Sequence, residues 1–345
     1  MTEIIEKRYS RQVLFAGIGA EGQARLGRSR LLLIGCGALG TVIAEIMVRA
    51  GIGRLTIADR DYIDESNLPR QSLFTEQDCA AGLPKAVAAV RHLREINSAT
   101  ELVDHVLDVN SVTIAGLVDG QDLIMDGTDN FETRYLINDA SLKWGVPWIY
   151  GACVGAYGLC FAFVPGLTPC LRCILEKIPP PGSSPTCDTA GVIGPIVHLV
   201  AAMEAAEALK ILTGRTVHLN RKLVSIDLWQ NQVRSLDLAS PGPDPACPAC
   251  GRRQFEFLAG DHEARSQSLC GRGAVQIWRG EPSSLEFAPI ADRLAPLGKV
   301  VWNEYLLKAN LGEVEIALFK DGRAIVRGVR DVEEARRAYA KFIGT

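Results

Sequence analysis

Two pairs of cysteines, Cys170-Leu171-Arg172-Cys173 and Cys247-Pro248-Ala249-Cys250, share the C-x-x-C spacing. Together they offer four thiolates, the ligand set of a tetrahedral zinc ion, Zn²⁺. The 73 residues between the pairs far exceed zinc-finger spacing, so such a site would pin two distant loops together. A redox role is the alternative, but both pairs stand in Pro/Gly-rich loops rather than at a strand–helix turn. Another cysteine, Cys187 in Thr186-Cys187-Asp188-Thr189-Ala190-Gly191, lies a few residues before an expected helix start. A helix dipole there would lower a thiol pKa. The local sequence leaves an incidental loop cysteine equally open.

A second constellation is phosphate chemistry. Gly35-x-Gly37-x-x-Gly40 follows an apolar run and precedes a helical pattern. The first glycine permits a tight turn, the second lets backbone approach a phosphate, and the third lets helix and strand pack closely. Asp59 follows about twenty residues on, at the end of the next strand, placed for a ribose hydroxyl. This context supports nucleotide binding. A nicotinamide dehydrogenase is the default reading, but the residues beyond Asp59 argue against it. Asp61, Ser66, Asn67, Arg70 and Gln71 come in one short stretch. Lys85 then opens a helix after Pro84, and Asp126-Gly127-Thr128-Asp129-Asn130 ends a later strand. Carboxylates for Mg²⁺ with Arg and Lys for phosphate oxygens suit a triphosphate better than hydride transfer. Taken singly, Asn67 and Asn130 read more readily as turn formers, and Arg70 and Lys85 as surface charges; taken together at strand ends of one sheet, they favour phosphate binding.

The elements that must position these residues alternate. Leu31–Ile34, a helix over about 38–50, and Leu55–Ala58 form a strand–helix–strand unit. Lys85–Ile96 and Phe131–Trp144 are expected helices, and Leu123–Met125 a short strand. Such alternation implies an α/β, Rossmann-like, mainly parallel sheet with helices on both faces. A helix is also expected over Tyr9–Leu26. Another spans about Pro195–Leu212, with Glu204 and Glu207 off its apolar face. Between Lys143 and Arg172 lie 28 uncharged residues, long enough to cross a bilayer. Their glycines and prolines break that reading, and the aromatic clusters 146–150 and 161–164 read as buried strands of a hairpin. Four prolines within Ile178–Pro185 mark a loop. A composition break at Ser240–Pro245 places the end of the main domain near Gly251, giving domains 1–251 and 252–345. The second reads as a small α+β unit. Its Val314–Phe319 and Ala324–Val329 flank the hairpin signal Asp321-Gly322, and a charged helix closes the chain at Asp331–Ile343.

Composition bounds the reading. The chain has 345 residues with 48% hydrophobic and 22% charged, enough apolar material for a full core. Lys+Arg 37 against Asp+Glu 40 gives a net charge of −3, which argues against a nucleic-acid binder. The N-terminus has acidic residues and no apolar h-region, so no signal peptide is expected. Ten cysteines without an export signal point to metal, burial or chemistry in a cytoplasmic setting rather than to disulfides.

The ordered set of motifs resembles the ThiF/MoeB/HesA family of adenylyltransferases, relatives of the ubiquitin-activating enzymes. The likeness runs over about 8–251. It rests on Arg8-Tyr9-Ser10-Arg11-Gln12, the glycine loop, Asp59-x-Asp61, Asn67-x-x-Arg70-Gln71, Pro84-Lys85, Asp126-x-Thr128-Asp129-Asn130, both cysteine pairs, and Cys187 ahead of Ala190-Gly191-Val192. The resemblance implies ATP-dependent adenylation of the C-terminal glycine of a small ubiquitin-like sulfur-carrier protein ending in Gly-Gly, with release of pyrophosphate. Sulfur transfer for thiamine, molybdopterin or a related product would follow. It further implies that Asp59 binds ribose, that Asn67, Arg70 and Lys85 hold phosphates, and that Asp129 coordinates Mg²⁺ beside Asn130. Arg11 would reach the ATP of the partner in a homodimer. Cys170, Cys173, Cys247 and Cys250 would bind zinc. Cys187 would be an acylatable or persulfidated thiol on a crossover loop over about 174–190. A cysteine desulfurase or rhodanese would be the sulfur donor. Ala38 departs from the family, which often has glycine there. The alternatives are activation of a different peptide or ubiquitin-like modifier, a nicotinamide oxidoreductase, or a zinc-stapled nucleotide-binding scaffold. Cys270 precedes the expected strands of the tail, which argues against rhodanese activity there.

Overall fold

The computed structural model describes residues 7–179, 187–238, 242–260, 266–269, 274–277 and 285–344. Two sheets organise them. The first contains β1 (Arg30–Ile34), β2 (Arg54–Asp59), β3 (Glu101–Val106), β4 (Leu123–Asp126), β5 (Trp148–Val154), β6 (Tyr157–Phe163), β7 (Leu223–Asp227) and β8 (Gln232–Leu236), in the order β3-β2-β1-β4-β5-β6-β7-β8. The pairings from β3 to β5 are parallel. Those from β5 to β8 are antiparallel. The parallel half is the expected Rossmann-like core, and the sheet as a whole is mixed. Strand direction reverses because Gly155 and Ala156 turn β5 straight back into β6, leaving no room for a crossover helix. That hairpin is the uncharged stretch. No described helix is long and apolar enough to cross a membrane.

The glycine-loop helix runs Ala38–Ala50 and stops at Gly51 in the left-handed region (φ 84°). The helices Lys85–Ile96 and Phe131–Trp144 match their expected spans. The expected helix over 9–26 is instead two, Ser10–Leu14 and Gly19–Leu26. Gly17 and Gly19 weaken the intervening turn, and Gly19 takes φ 62°.

A second correction concerns the helix Gly194–Leu212. Glu204 and Glu207 are both buried, Glu204 completely. The helix packs on β5–β6 and on the helix Ala38–Ala50, which cover the side bearing Glu204 and Glu207, and its exposed stripe runs through His198, Ala202 and Ala206. Glu207 pairs with Lys210 and accepts from the Asn220 amide at 3.1 Å. Glu204 lies against Gly151, where any Cβ would overlap its carboxylate.

The second sheet contains β9 (Ser266–Leu269), β10 (Ala274–Ile277), β11 (Lys299–Trp302), β12 (Leu306–Leu311), β13 (Val314–Phe319) and β14 (Ala324–Arg327), in the order β11-β12-β13-β14-β10-β9 and antiparallel throughout. The helices Phe287–Leu294 and Val332–Phe342 pack on one face, around Leu294, Leu307, Ile316, Leu318 and Tyr339. The other face buries Leu306, Ala317, Phe319 and Ile325 against Tyr62 and Val106 of the first sheet's flank. Phe257, although it follows Gly251, stacks on Tyr135 in the core beneath the first sheet, with ring centroids 4.9 Å apart.

Candidate functional site: a nucleotide cradle and a four-thiol corner

The cradle forms where β1 and β4 end side by side. Gly35 takes φ 87°, and a Cβ on it would lie 2.6 Å from the Gly127 carbonyl oxygen. Cβ atoms on Gly40 and on Gly127 would both run into the Gly35 carbonyl oxygen. The two loops therefore interlock: Gly127 N–H donates to Ile34 O at the end of β1, and Gly35 N–H to Ala58 O of β2, each at 2.8 Å. Gly37 differs: a Cβ there would meet nothing nearer than Gln71 Nε2 at 3.9 Å. The second glycine thus presents open backbone at the N-terminus of the helix that Ala38 begins.

Asp59 braces this loop. Its Oδ2 accepts from the Cys36 amide at 2.6 Å and its Oδ1 from the Asp61 amide at 2.7 Å. Burial pushes its carboxyl above the usual range, and the nearby Lys85 ammonium pulls against that shift. Lys85 is only 2% exposed and sits 3.1 Å from Asp61 Oδ2. A buried ammonium needs such a partner. The reading of Lys85 as a surface charge is therefore wrong. Gln71 is buried beside the loop, and its Oε1 has no hydrogen-bond partner among the described residues.

Other expected residues are partly committed elsewhere. Asn67 Oδ1 accepts from the Asp64 amide at 3.2 Å, and Asp64 in turn accepts from Ser66 N and Oγ at 3.1 and 2.8 Å. Arg70 donates to the Ser66 carbonyl at 2.7 Å. Asn130 caps the helix Phe131–Trp144 by accepting from Thr133 N at 2.8 Å. Turn formation and phosphate binding thus draw on the same side chains. Asp129 is exposed at the end of β4. Arg11 is exposed on the helix Ser10–Leu14 and makes no hydrogen bond or ion pair among the described residues. Its motif neighbours are anchored: Tyr9 Oη accepts from Asn97 Nδ2 at 2.8 Å, and Gln12 Nε2 donates to Ala50 O at 2.8 Å.

Sequence reading missed Arg134. Its Nε donates to Oδ2 of the fully buried Asp126 at 2.8 Å, and its Nη2 reaches Thr128 O and Gly151 O, each at 2.8 Å. Thr128 closes the other side of Asp126, with N and Oγ1 2.9 and 2.6 Å from Oδ1. This buried ion pair locks the 126–130 turn to β5. Arg134 stands eight residues after Asp126, one turn beyond the Asn130 cap, which was the available signal. Arg60 was also missed. It pairs with Asp108 at 3.0 Å and feels the negative charges of Asp61 and Asp129.

The four cysteines of the C-x-x-C pairs converge. All four sulfurs lie within 4.8 Å of one another. Cys170–Cys173, Cys170–Cys247 and Cys173–Cys250 are 3.8, 3.7 and 3.4 Å apart. Ligands about 2.3 Å from a tetrahedral centre would be about 3.8 Å apart, so the set fits zinc. Burial, and after it the neighbouring thiolates, push Cys170 well above the thiol range, so a cation is what would let all four ionise. The helix Phe131–Trp144 holds the backbone beside the corner: Asn138 Oδ1 accepts from Leu171 N at 2.8 Å, and Asp139 Oδ2 from Phe257 N, seven residues beyond Cys250, at 3.0 Å. Cys187 opens the one-turn helix Cys187–Ala190, and its side chain lies outside the described residues, as does Cys270. Residues 180–186 of the crossover stretch are likewise outside them.

Fold and site together define a nucleotide-binding α/β protein with a four-thiol corner. The family profile described as "ThiF family" matches residues 9–249. The chain is 46% identical over 338 residues to a Bacillus subtilis protein named sulfur carrier protein ThiS adenylyltransferase, covering 98% of this chain and 99% of that one. It is 36% identical over 269 residues to a Thermus thermophilus sulfur carrier protein adenylyltransferase, covering 76% and 96%. Among solved structures, Escherichia coli MccB with MccA-N7isoASN superposes with a TM-score of 0.62 at 25% identity, covering 71% of this chain and 74% of that one. The chain belongs to the ThiF family.

Proposed function

We propose that this chain is an ATP-dependent adenylyltransferase that activates the C-terminal glycine of a small, ubiquitin-like sulfur-carrier protein ending in Gly-Gly. The observation that carries the reading is the open backbone at Gly37, flanked by the unpartnered Gln71 Oε1 and the buried Lys85. Near full-length identity to a protein of that activity supports it. The carrier's carboxylate oxygen attacks the α-phosphorus of ATP, the bond to the bridging oxygen breaks, and pyrophosphate leaves with that electron pair. The nucleophile is already ionised at pH 7, so no general base is required. Catalysis rests on alignment and charge neutralisation. In this reading Lys85 exchanges Asp61 for a phosphate oxygen. Arg70 and Asn67 hold the leaving phosphates, Asp59 takes the ribose, and Gln71 faces the Gly37 cradle. Asp129 offers hard, exposed oxygens suited to Mg²⁺, which would neutralise phosphate charge.

The finer assignments form part of the same proposal. Residues 1–251 act as the adenylyltransferase unit and 252–345 as an addition to it. Cys170, Cys173, Cys247 and Cys250 hold a structural zinc. Arg11 serves the nucleotide of the partner in a homodimer. Cys187 acts in a later sulfur step with a cysteine desulfurase or rhodanese as donor, in a cytoplasmic thiamine, molybdopterin or related pathway.

Carrier-dependent exchange of labelled pyrophosphate into ATP tests the reading. Exchange is expected with a Gly-Gly-ending carrier, and its absence with every such carrier refutes the activity. Asp129→Ala is expected to abolish exchange. Cys187→Ala is expected to retain it, and loss of adenylation in that variant would overturn the separation of the two roles.

A further inference from the structure

The segment that carries Asp61, Ser66, Asn67, Arg70 and Gln71 is not held by the first sheet alone. The second sheet grips it at three places. At its start, Arg323 in the β13–β14 turn donates from Nη1 to the Arg60 carbonyl at 2.8 Å. The Arg60 guanidinium is fixed as well, because Asp108 accepts from it at 3.0 Å and from Gln276 Nε2 of β10 at 3.2 Å. In the middle, Arg327 of β14 pairs with Asp64 Oδ2 at 3.1 Å. The other oxygen of Asp64 holds Ser66, and its amide holds Asn67. Tyr62 lies between, with Lys308 Nζ 3.9 Å above its ring. At the far end, Asn303 Nδ2 donates to the carbonyls of Ala81 and Gly82 at 3.0 and 3.2 Å, just ahead of Lys85. The relative that shares nearly the full length of this chain shares this part too.

We propose that the C-terminal sheet is a brace that presets the phosphate-binding segment 60–85 for nucleotide, with Arg327 a positioning residue acting through Asp64. The inference rests on the adenylyltransferase reading of the cradle. It gives the C-terminal sheet a use in nucleotide binding, distinct from docking the carrier, and the test below separates the two. The contacts run to the loop behind the phosphates, so loosening them reduces preorganisation for nucleotide while leaving the interlocked glycine loops in place.

The test compares Arg327→Ala, Arg327→Lys and Asn303→Asp in the full chain. Asn303→Asp keeps the acceptor that Tyr305 N and Leu306 N use but removes both donors to 81–82. Binding of the non-cleavable analogue AMPCPP with Mg²⁺ is measured by calorimetry, alongside KM for ATP, KM for carrier and kcat in exchange. Arg327→Ala and Asn303→Asp are each expected to weaken AMPCPP and raise KM for ATP about two- to fivefold, the range of a partly exposed ion pair for the first and of a neutral hydrogen bond for the second. The KM for carrier and kcat stay within error, and Arg327→Lys recovers part of the loss. Arg330→Ala, which breaks the exposed pair to Glu334, is expected to change nothing. Unchanged AMPCPP affinity in both variants, even with a lowered melting temperature, overturns the brace. So does a rise in KM for carrier alone, which would indicate docking. If the parent chain gives no exchange but binds AMPCPP, the activity fails and the brace is still decided by the AMPCPP affinities. A parent that binds no AMPCPP overturns both.

Discussion

The four-thiol corner and the nucleotide cradle both join segments remote in sequence, by opposite means. The corner brings 170–173 to 247–250 through four side-chain sulfurs, and the helix Phe131–Trp144 holds the neighbouring backbone through side chains such as Asn138, Asp139 and Tyr135. The cradle brings 35–40 to 127 through backbone packed on backbone, with no side chain between them. A side-chain junction can be undone by a reagent or a pH change. A backbone junction yields only to substitution, and then at once.

The largest effect should come from removing the corner's metal. One zinc per chain is expected, and stripping it with a strong chelator, or Cys250→Ser, should cost about 4 kcal/mol of unfolding free energy when metal stands a thousandfold above its Kd. Zinc content and urea unfolding measure this, and a metal-free chain of unchanged stability would remove the contrast. Next is the cradle. Gly40→Ala forces a methyl onto the Gly35 carbonyl and should cost about 3 kcal/mol, since neither backbone can retreat. Nucleotide affinity should fall with it, whereas Cys250→Ser acts on stability first. Third is Asp139, whose carboxyl burial pushes up from 3.8 to about 6. The native state keeps this proton longer than the unfolded one, so its contribution to stability declines as pH rises from about 4 to 6 and levels off above. Asp139→Asn should therefore gain on the parent by about 2 kcal/mol across that window. Unfolding curves at pH 4, 5, 6 and 7 check it, and parallel curves would place Asp139 outside the corner's support. The smallest is Thr128→Val, which removes the hydroxyl bond to Asp126 but keeps the amide bond. About 1.5 kcal/mol is expected, read by thermal unfolding.

The same contrast governs what was legible in the sequence. The glycine loop, its helix and Asp59 were readable because their logic is local: spacing, periodicity and a turn. The four cysteines were readable because zinc demands a ligand pattern that few other uses share. The β13–β14 hairpin was readable from Asp321-Gly322. Burial of Glu204 was not, because the surface that covers it includes Gly151, more than fifty residues away, and the exposed stripe of its helix runs instead through His198, Ala202 and Ala206. Lys85 as a buried cation also depends on a remote partner, Asp61. Asn67 and Asn130, taken singly, read more readily as turn formers than as ligands, and the structure uses both in caps. Arg134 lay within reach of a local reading, eight residues after Asp126, but its bond to Gly151 did not; Arg60 with Asp108 and the hold of the second sheet on segment 60–85 are contacts between elements, which no window of the sequence contains.

Arg323 and the carbonyl it holds at Arg60 are 263 residues apart. A ribosome adding about 5–20 residues per second needs roughly 13–50 s to cover that distance. The parallel strands and the interlocked glycines can assemble well before then, because β1 to β4 are all complete by Asp126. Residues 60–70 meanwhile have their own turn bonds and their ties to Leu83, Lys85 and Asp108, and closing so long a loop adds an entropic cost that the finished C-terminal sheet offsets. A nascent chain would therefore own a cradle before it owns a firm grip on triphosphate, and a product truncated ahead of Ala324 should fold its first sheet and bind nucleotide more weakly.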